Sequence, residues 1–233
     1  MRILAVIPAR GGSKSVPRKN IAPVAGRPLI GYTIEQALKV AAITDIVTST
    51  DDEEIAAVAG SLGSQVPFIR PAELATDQAQ SAPVLKHCLE HMENLRGQLY
   101  DAVLMLQPTS PLRKAHHIER AIEMMRTSSC DTVVTVVSVE GHHPFRMKRL
   151  VGQRLINYID QGFEDMRPRQ VLPRVYIRNG AVYLSRREVI ANQNRIVGDH
   201  CLGFEMGLDE SINIDNRFDF KLAELLLQEQ ARP

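Results

Sequence analysis

Apolar runs of strand length alternate with helical periodicity through the first 140 residues, and few folds accommodate that order. Residues 3–7, 45–50, 102–106 and 132–137 read as strands, with a shorter one near 66–68. Between them, Leu29, Ile30, Thr33, Ile34, Ala37, Leu38 and Ala41 fall on one helical stripe, and residues 52–62, 82–95 and 115–126 read as further helices. Pro83 suits the first turn of its helix, where a missing N–H costs little. Strand and helix in alternation predict a three-layer α/β fold on a doubly wound, mostly parallel sheet, with a site at the carboxyl ends of the strands. Residues 10–20, 49–51 and 107–110 all fall at such ends.

The first of these segments is the most telling. A buried strand opens into Ala9-Arg10-Gly11-Gly12-Ser13-Lys14-Ser15-Val16-Pro17-Arg18-Lys19-Asn20, and residues 1–20 contain no acid. Small residues leave backbone N–H groups free, and Arg10, Lys14, Arg18 and Lys19 add fixed positive charge. Such a loop can replace the water and counterions of a polyphosphate. Neither G-x-x-x-x-G-K-[ST] nor G-x-G-x-x-G is present, so a P-loop NTPase and a dinucleotide fold both fit poorly.

Lys and Arg exceed Asp and Glu by one, which argues against nucleic acid as the main partner. The charge is unevenly placed. Residues 142–178 carry eight Lys/Arg against three acids, and there basic, polar and proline residues interrupt the α/β alternation. This segment reads as an arm inserted in one domain spanning 1–233. Its apolar residues, Phe145, Leu150, Leu155, Phe163 and Met166 among them, ask for a covering partner. Cys88, Cys130 and Cys201 are odd in number and lie in apolar sequence, as expected of buried free thiols in a reducing, cytoplasmic protein. No segment reads as a signal or a membrane span. Strand character returns at 181–184 and 201–206. Asn216 is placed to cap a last helix that turns Phe218, Leu222, Leu225 and Leu226 inward.

Four further segments join the opening loop: Arg70-Pro71-Ala72-Glu73-Leu74-Ala75-Thr76-Asp77 leading to Ser81, then Leu106-Gln107-Pro108-Thr109-Ser110-Pro111-Leu112-Arg113, Asn179-Gly180-Ala181-Val182-Tyr183, and Ser211-Ile212-Asn213-Ile214-Asp215. In identity and order they resemble the acylneuraminate cytidylyltransferases, over residues 2 to about 220. The resemblance implies a Rossmann-like nucleotidyltransferase sheet and a reaction in which CTP and a 2-keto sugar acid give a CMP-sugar and pyrophosphate. It implies that Arg10, Ser13, Lys19 and Asn20 cradle the nucleotide, with Arg70 and Ser81 around the cytidine. Gln107, Arg146, Arg169, Asn179 and Tyr183 would face the sugar, and a homodimer would form through the arm. Mg²⁺ would sit at Asp215 and position 213, where the family usually has Asp-Ile-Asp and this chain has Asn213. An amide carbonyl can still ligate, with one formal charge fewer. Ile177 also stands where the family has an arginine, and Arg178 follows it, so the sugar stays open. Alternatives to the sialic-acid type are another nucleotide, an eight-carbon keto sugar, or a non-catalytic nucleotide-sugar-binding relative. Histidines 142 and 143, being adjacent, point apart and suit loop contacts better than a metal.

Overall fold

A computed structural model describes residues 1–139, 141–160 and 162–230. In chain order the strands are β1 (Ile3–Pro8), β2 (Pro23–Val24), β3 (Arg27–Pro28), β4 (Asp45–Ser49), β5 (Ala102–Met105), β6 (Thr132–Ser138), β7 (Lys148–Val151), β8 (Arg154–Asn157), β9 (Tyr176–Arg186) and β10 (Cys201–Glu205). The helices are α1 (Leu29–Leu38), α2 (Glu53–Ser61), α3 (Ser81–Arg96), α4 (Ala115–Arg126), α5 (Arg187–Ala191) and α6 (Arg217–Gln230).

Six strands form one sheet in the order β10-β6-β9-β5-β1-β4. β1 pairs parallel with β4 and β5, and β10 parallel with β6, while β9 runs antiparallel to both its neighbours. The mostly parallel α/β sheet expected from the alternation is present. β1 shows why its sequence is apolar throughout. Ile3, Ala5 and Ile7 pack in one cluster with residues of α1, α2 and α4, whereas Leu4 and Val6 pack in another with α3 and Ile190 of α5. A strand covered on both faces loses its apolar/polar alternation. A small third cluster, Val24, Leu29, Ile214 and Ala223, holds α6 against the first helix.

Local chemistry ends the elements where expected. Asp52 caps α2 by accepting the Ile55 N–H at 2.9 Å, and Asn216 caps α6 by accepting those of Phe218 and Asp219 at 2.8 and 3.1 Å. Several readings need correction. No strand forms at 66–68; just before it the described backbone makes a single bridge, Gln65 to Val47. α1 ends at Leu38, so Ala41 lies outside it. Phe218 and Leu225 of α6 are 74% and 57% exposed, because the helix lies on the surface and buries only the Ala223 side of its apolar stripe. Cys201 is exposed on the edge strand β10, while Cys88 and Cys130 are buried, and all three are free.

The arm projects from the neck between β6 and β9. It holds an antiparallel hairpin, β7 and β8, turning at Gly152 with φ 60°. Tyr176, Ile177 and Arg178, read as part of the arm, are instead the first residues of β9 and pair with Ser138, Val137 and Val136. Among the described residues no helix is long and apolar enough to cross a membrane.

Candidate active site

The end of β1 carries the chain into the site. Ala9 N–H donates to Ser49 O at 2.9 Å, and Gly11 N–H to Asp51 Oδ1 at 3.0 Å. A Cβ on Gly11 would meet Asp52 Oδ2 at 2.8 Å, so a side chain at the loop's first glycine would displace Asp52 in the β4–α2 turn. Further on, Asn20 is buried and its Nδ2 donates back to Arg10 O at 2.9 Å, folding the loop on itself. Lys19 reaches across the chain, donating from Nζ to Ile214 O at 2.7 Å.

These contacts shape a cavity of about 470 Å³ whose walls include Arg10, Ser13, Lys19, Asn20, Arg70, Ser81, Gln107 and Asp215. Thus eight residues named from the sequence, drawn from four separated segments, meet in one place. Lys19 is half-buried there, and burial lowers its pKa, with Asp215 opposing the effect and Arg10 adding to it. Arg70 is 5% exposed and spends its guanidinium on the protein. Nε donates to Ser49 Oγ at 3.0 Å, Nη1 to Leu74 O at 3.4 Å and Nη2 to Ser49 O. It braces the cavity wall by tying residues 70–74 to the end of β4. Ser81 is the first residue of α3, with Gln80 in the capping position.

Thr76, Asp77, Ala79 and Thr109 also line the cavity and were not singled out in the sequence. Asp77 is the important one. It accepts from Arg10 Nη1 at 2.8 Å and pairs with Lys14, and both contacts hold its pKa below the usual carboxylate value. The only available signal was its place at the end of the Arg70–Asp77 run. Arg18 turns away from this cavity to Asp52, at 3.0 Å, and to Glu54.

Gln107 meets the start of β9 at Gly180. That glycine has φ +79°, and a Cβ there would lie 2.7 Å from Gln107 Oε1, 3.3 Å from Ser110 Oγ and 3.5 Å from Asn213 Cγ. Because β9 is antiparallel, its first half lies at the edge where β1, β4 and β5 end. Asn213 Nδ2 is 3.5 Å from Asp215 Oδ2, and its buried Oδ1 has no hydrogen-bond partner among the described residues. Behind Gln107, Arg113 is 1% exposed, with Nη1 donating to Gln107 O at 3.2 Å and Ala181 O at 2.9 Å, and Nη2 to Thr33 Oγ1 at 2.5 Å. Burial pushes its pKa down to about 9.

The remaining expected sugar-side residues lie elsewhere. Asn179 is buried, its Oδ1 accepting from Thr135 Oγ1 at 2.6 Å and its Nδ2 donating to Ser211 Oγ at 2.9 Å. Tyr183 sits mid-strand in β9 and packs against the cluster containing Leu4 and Met105. Burial raises its pKa. Arg146 and Arg169 are in the arm. Arg146 Nη2 donates to Arg167 O at 2.5 Å, and Arg169 lines a second cavity of about 380 Å³ with His143, Arg174 and Glu205. His143 Nε2 donates to Pro173 O at 3.1 Å while Nδ1 accepts the Phe145 N–H at 3.1 Å, a loop contact as expected.

A cytidylyltransferase family model matches residues 4–195. CMP-N,N'-diacetyllegionaminic acid synthase of Legionella pneumophila is 35% identical over 233 residues, covering 98% of this chain and 97% of the relative. Pseudaminic acid cytidylyltransferase of Campylobacter jejuni is 31% identical over 226 residues, covering 97% and 96%. N-acylneuraminate cytidylyltransferase of Escherichia coli is 31% identical over 231 residues, or 99% of this chain, which spans only 53% of that longer relative. In structure, CMP:2-keto-3-deoxy-manno-octonic acid synthetase complexed with CTP aligns with TM-score 0.74 at 19% identity, covering 99% and 100% of the two chains. A 4-diphosphocytidyl-2C-methyl-D-erythritol synthase aligns with TM-score 0.70 at 13% identity, covering 97% and 98%. At such identities the structural likeness is one of fold. The sequence relatives carry the assignment further, and the chain belongs to the cytidylyltransferase family.

Proposed function

We propose that the protein joins CTP to a nonulosonic, sialic-acid-like 2-keto sugar acid, releasing pyrophosphate. The observation that carries this reading is the single cavity at the strand ends, in which Arg10, Ser13, Lys19, Asn20, Arg70, Ser81, Gln107 and Asp215 converge. The named relatives, which act on legionaminic, pseudaminic and N-acylneuraminic acids, support the sugar class. In the reaction the anomeric hydroxyl oxygen of the sugar bonds to the α-phosphorus, the bond from that phosphorus to the bridging oxygen breaks, and the hydroxyl proton is released. Little covalent work falls to the protein. Arg10 and Lys19 neutralise the phosphates, loop N–H groups orient them, and Gln107 stands where nucleotide and sugar would meet.

The donor set fits a hard divalent cation. Asp215 offers a carboxylate at the cavity wall, and Asn213 an unpartnered buried amide oxygen beside it. Mg²⁺ held there would stabilise charge on the phosphates, the remaining ligands being phosphate oxygens and water. We also propose a cytoplasmic homodimer. Leu150, Leu155 and Met166 of the arm are 68–82% exposed, and apolar surface of that kind favours a partner. The arm arginines Arg146 and Arg169 would then serve a sugar acid in the partner's cavity, where a guanidinium pairs well with a carboxylate.

Pyrophosphate release from CTP, Mg²⁺ and a panel of keto sugars tests the reading. Release with a nine-carbon keto acid is expected. Turnover only with another nucleotide or an eight-carbon acid would replace the substrate, and none with any pair would leave a binding protein.

A further inference from the structure

His116, His117 and Glu210 bring their ligating atoms within 4.8 Å of one another outside the proposed reaction cavity. The spacing suits a transition metal, but the hydrogen bonds around His117 do not. His117 is buried in the first turn of α4, and its Nδ1 accepts the backbone N–H of Lys114 at 3.0 Å. A neutral imidazole that accepts at Nδ1 carries its proton on Nε2, which leaves no lone pair there for a metal. That proton points at Glu210 Oε2, 3.2 Å away. Burial lowers the pKa of the ring, against the pull of Glu210, and so favours the neutral form. Donor and acceptor are therefore fixed in this pair.

Glu210 belongs to the segment that leaves β10 and delivers Asn213 and Asp215. The segment turns on itself, Glu210 N–H donating to Gly207 O and Ser211 N–H to Leu208 O, both at 3.2 Å. Among the described residues its other hydrogen-bonded anchors lie further along: Asn179 Nδ2 to Ser211 Oγ at 2.9 Å, Ile214 N–H to Thr109 O at 2.8 Å, Lys19 Nζ to Ile214 O at 2.7 Å, and Asp215 N–H to Asp219 Oδ2 at 2.9 Å. We infer that His117 and Glu210 are positioning residues, whose hydrogen bond docks residues 207–215 on α4 and so sets where Asp215 and Asn213 meet the nucleotide and its cation. The role rests on the transfer reaction proposed above. Neither side chain touches the reacting atoms.

Two measurements test it. Nitrogen-15 spectra of the histidines in metal-free protein are expected to show His117 as the Nε2–H tautomer, with that signal shifted in Glu210→Ala. An Nδ1–H tautomer, or stoichiometric Zn²⁺ binding abolished by His117→Ala, would overturn the donor assignment. The second measurement is Mn²⁺ binding to the enzyme–CTP complex, followed by electron paramagnetic resonance. Glu210→Ala and His117→Ala should each weaken Mn²⁺ about three- to tenfold. The double variant should be no weaker than either single one, since both remove the same bond. Glu210→Gln keeps an acceptor for the Nε2–H and should bind Mn²⁺ as the parent does, and CTP binding without metal should not change. Unaltered Mn²⁺ affinity in folded alanine variants, or additive losses, would overturn the positioning role alone. Parent protein that binds neither CTP nor Mn²⁺ would overturn the reaction and the positioning role together. Should Glu210→Ala fail to fold, the parent's tautomer and Glu210→Gln still decide.

Discussion

At Lys19 burial and function pull in opposite directions. Desolvation lowers the pKa of its ammonium below the ordinary lysine value, although Asp215 lies close enough to resist. A lysine whose folded pKa lies below its unfolded value costs stability at neutral pH, and that cost fades as pH rises through the folded pKa. A bound triphosphate would remove it by pairing the charge. The kcat/KM of nucleotidyl transfer, which reports the free enzyme, should therefore fall on the alkaline side before an ordinary lysine titrates, and Lys19→Arg should move that limb upward; a kcat/KM profile unchanged in the variant would dissociate Lys19 from it. Arg10→Ala and Lys19→Ala should each cost about 2–4 kcal/mol of transition-state stabilisation in a folded chain. Near-normal turnover in both would take the loop out of the mechanism. If Asn213 lies beside the cation, Asn213→Asp should lower the Mg²⁺ concentration for half-maximal activity, and an unchanged titration would place it outside the ligand shell. That Arg10, Ser13, Lys19 and Asn20 come together at one cavity was legible because they stand in one short cationic loop. Asp77 was not, since an acid in a polar loop reads as solvated until its partners, Arg10 and Lys14, are seen across the cavity.

Among the elements, β9 separates what pattern can tell from what it cannot. Its apolar residues announced a strand, but strand direction leaves no trace in hydrophobicity, so only the family resemblance, and not the periodicity, brought residues 179–180 towards Gln107. Nor did periodicity expose Arg113, which fastens α1, β9 and the loop after β5 at once. Its guanidinium holds carbonyls of residues 107 and 181 and the Thr33 hydroxyl of α1. Truncation would remove a desolvated charge, which helps, but would strand those acceptors and open a cavity, which costs more. Arg113→Ala should lower unfolding free energy by about 2–5 kcal/mol in denaturant titrations. A loss below about 1 kcal/mol would mean that water replaces it. The absent strand at 66–68 has a simpler cause. Pro67 has no N–H to give a ladder, and propensity alone could not overrule that.

Over the whole molecule, sequence reading located the sheet, the strand-end cavity and the foreign character of the arm. What it placed less well were residues such as Asn179 and Tyr183, whose polar atoms serve the interior as readily as a substrate. The arm bears on assembly. Sedimentation is expected to find a dimer, and full activity from a monomer at micromolar concentration would exclude a site shared between protomers.

β6 and β9 are consecutive members of the main sheet and antiparallel, so the arm is topologically the tip of one hairpin. Its neck is drawn together where Val139 N–H donates to Val175 O at 3.1 Å. A loop closed at its base is nearly free to change length, since closure entropy grows only with the logarithm of chain length. The arm is thus a replaceable module, on which insertions and deletions can accumulate without disturbing the register of the strands beneath. Exchanging residues 141–174 for a short Gly-rich turn should yield a folded, monomeric core that still binds CTP.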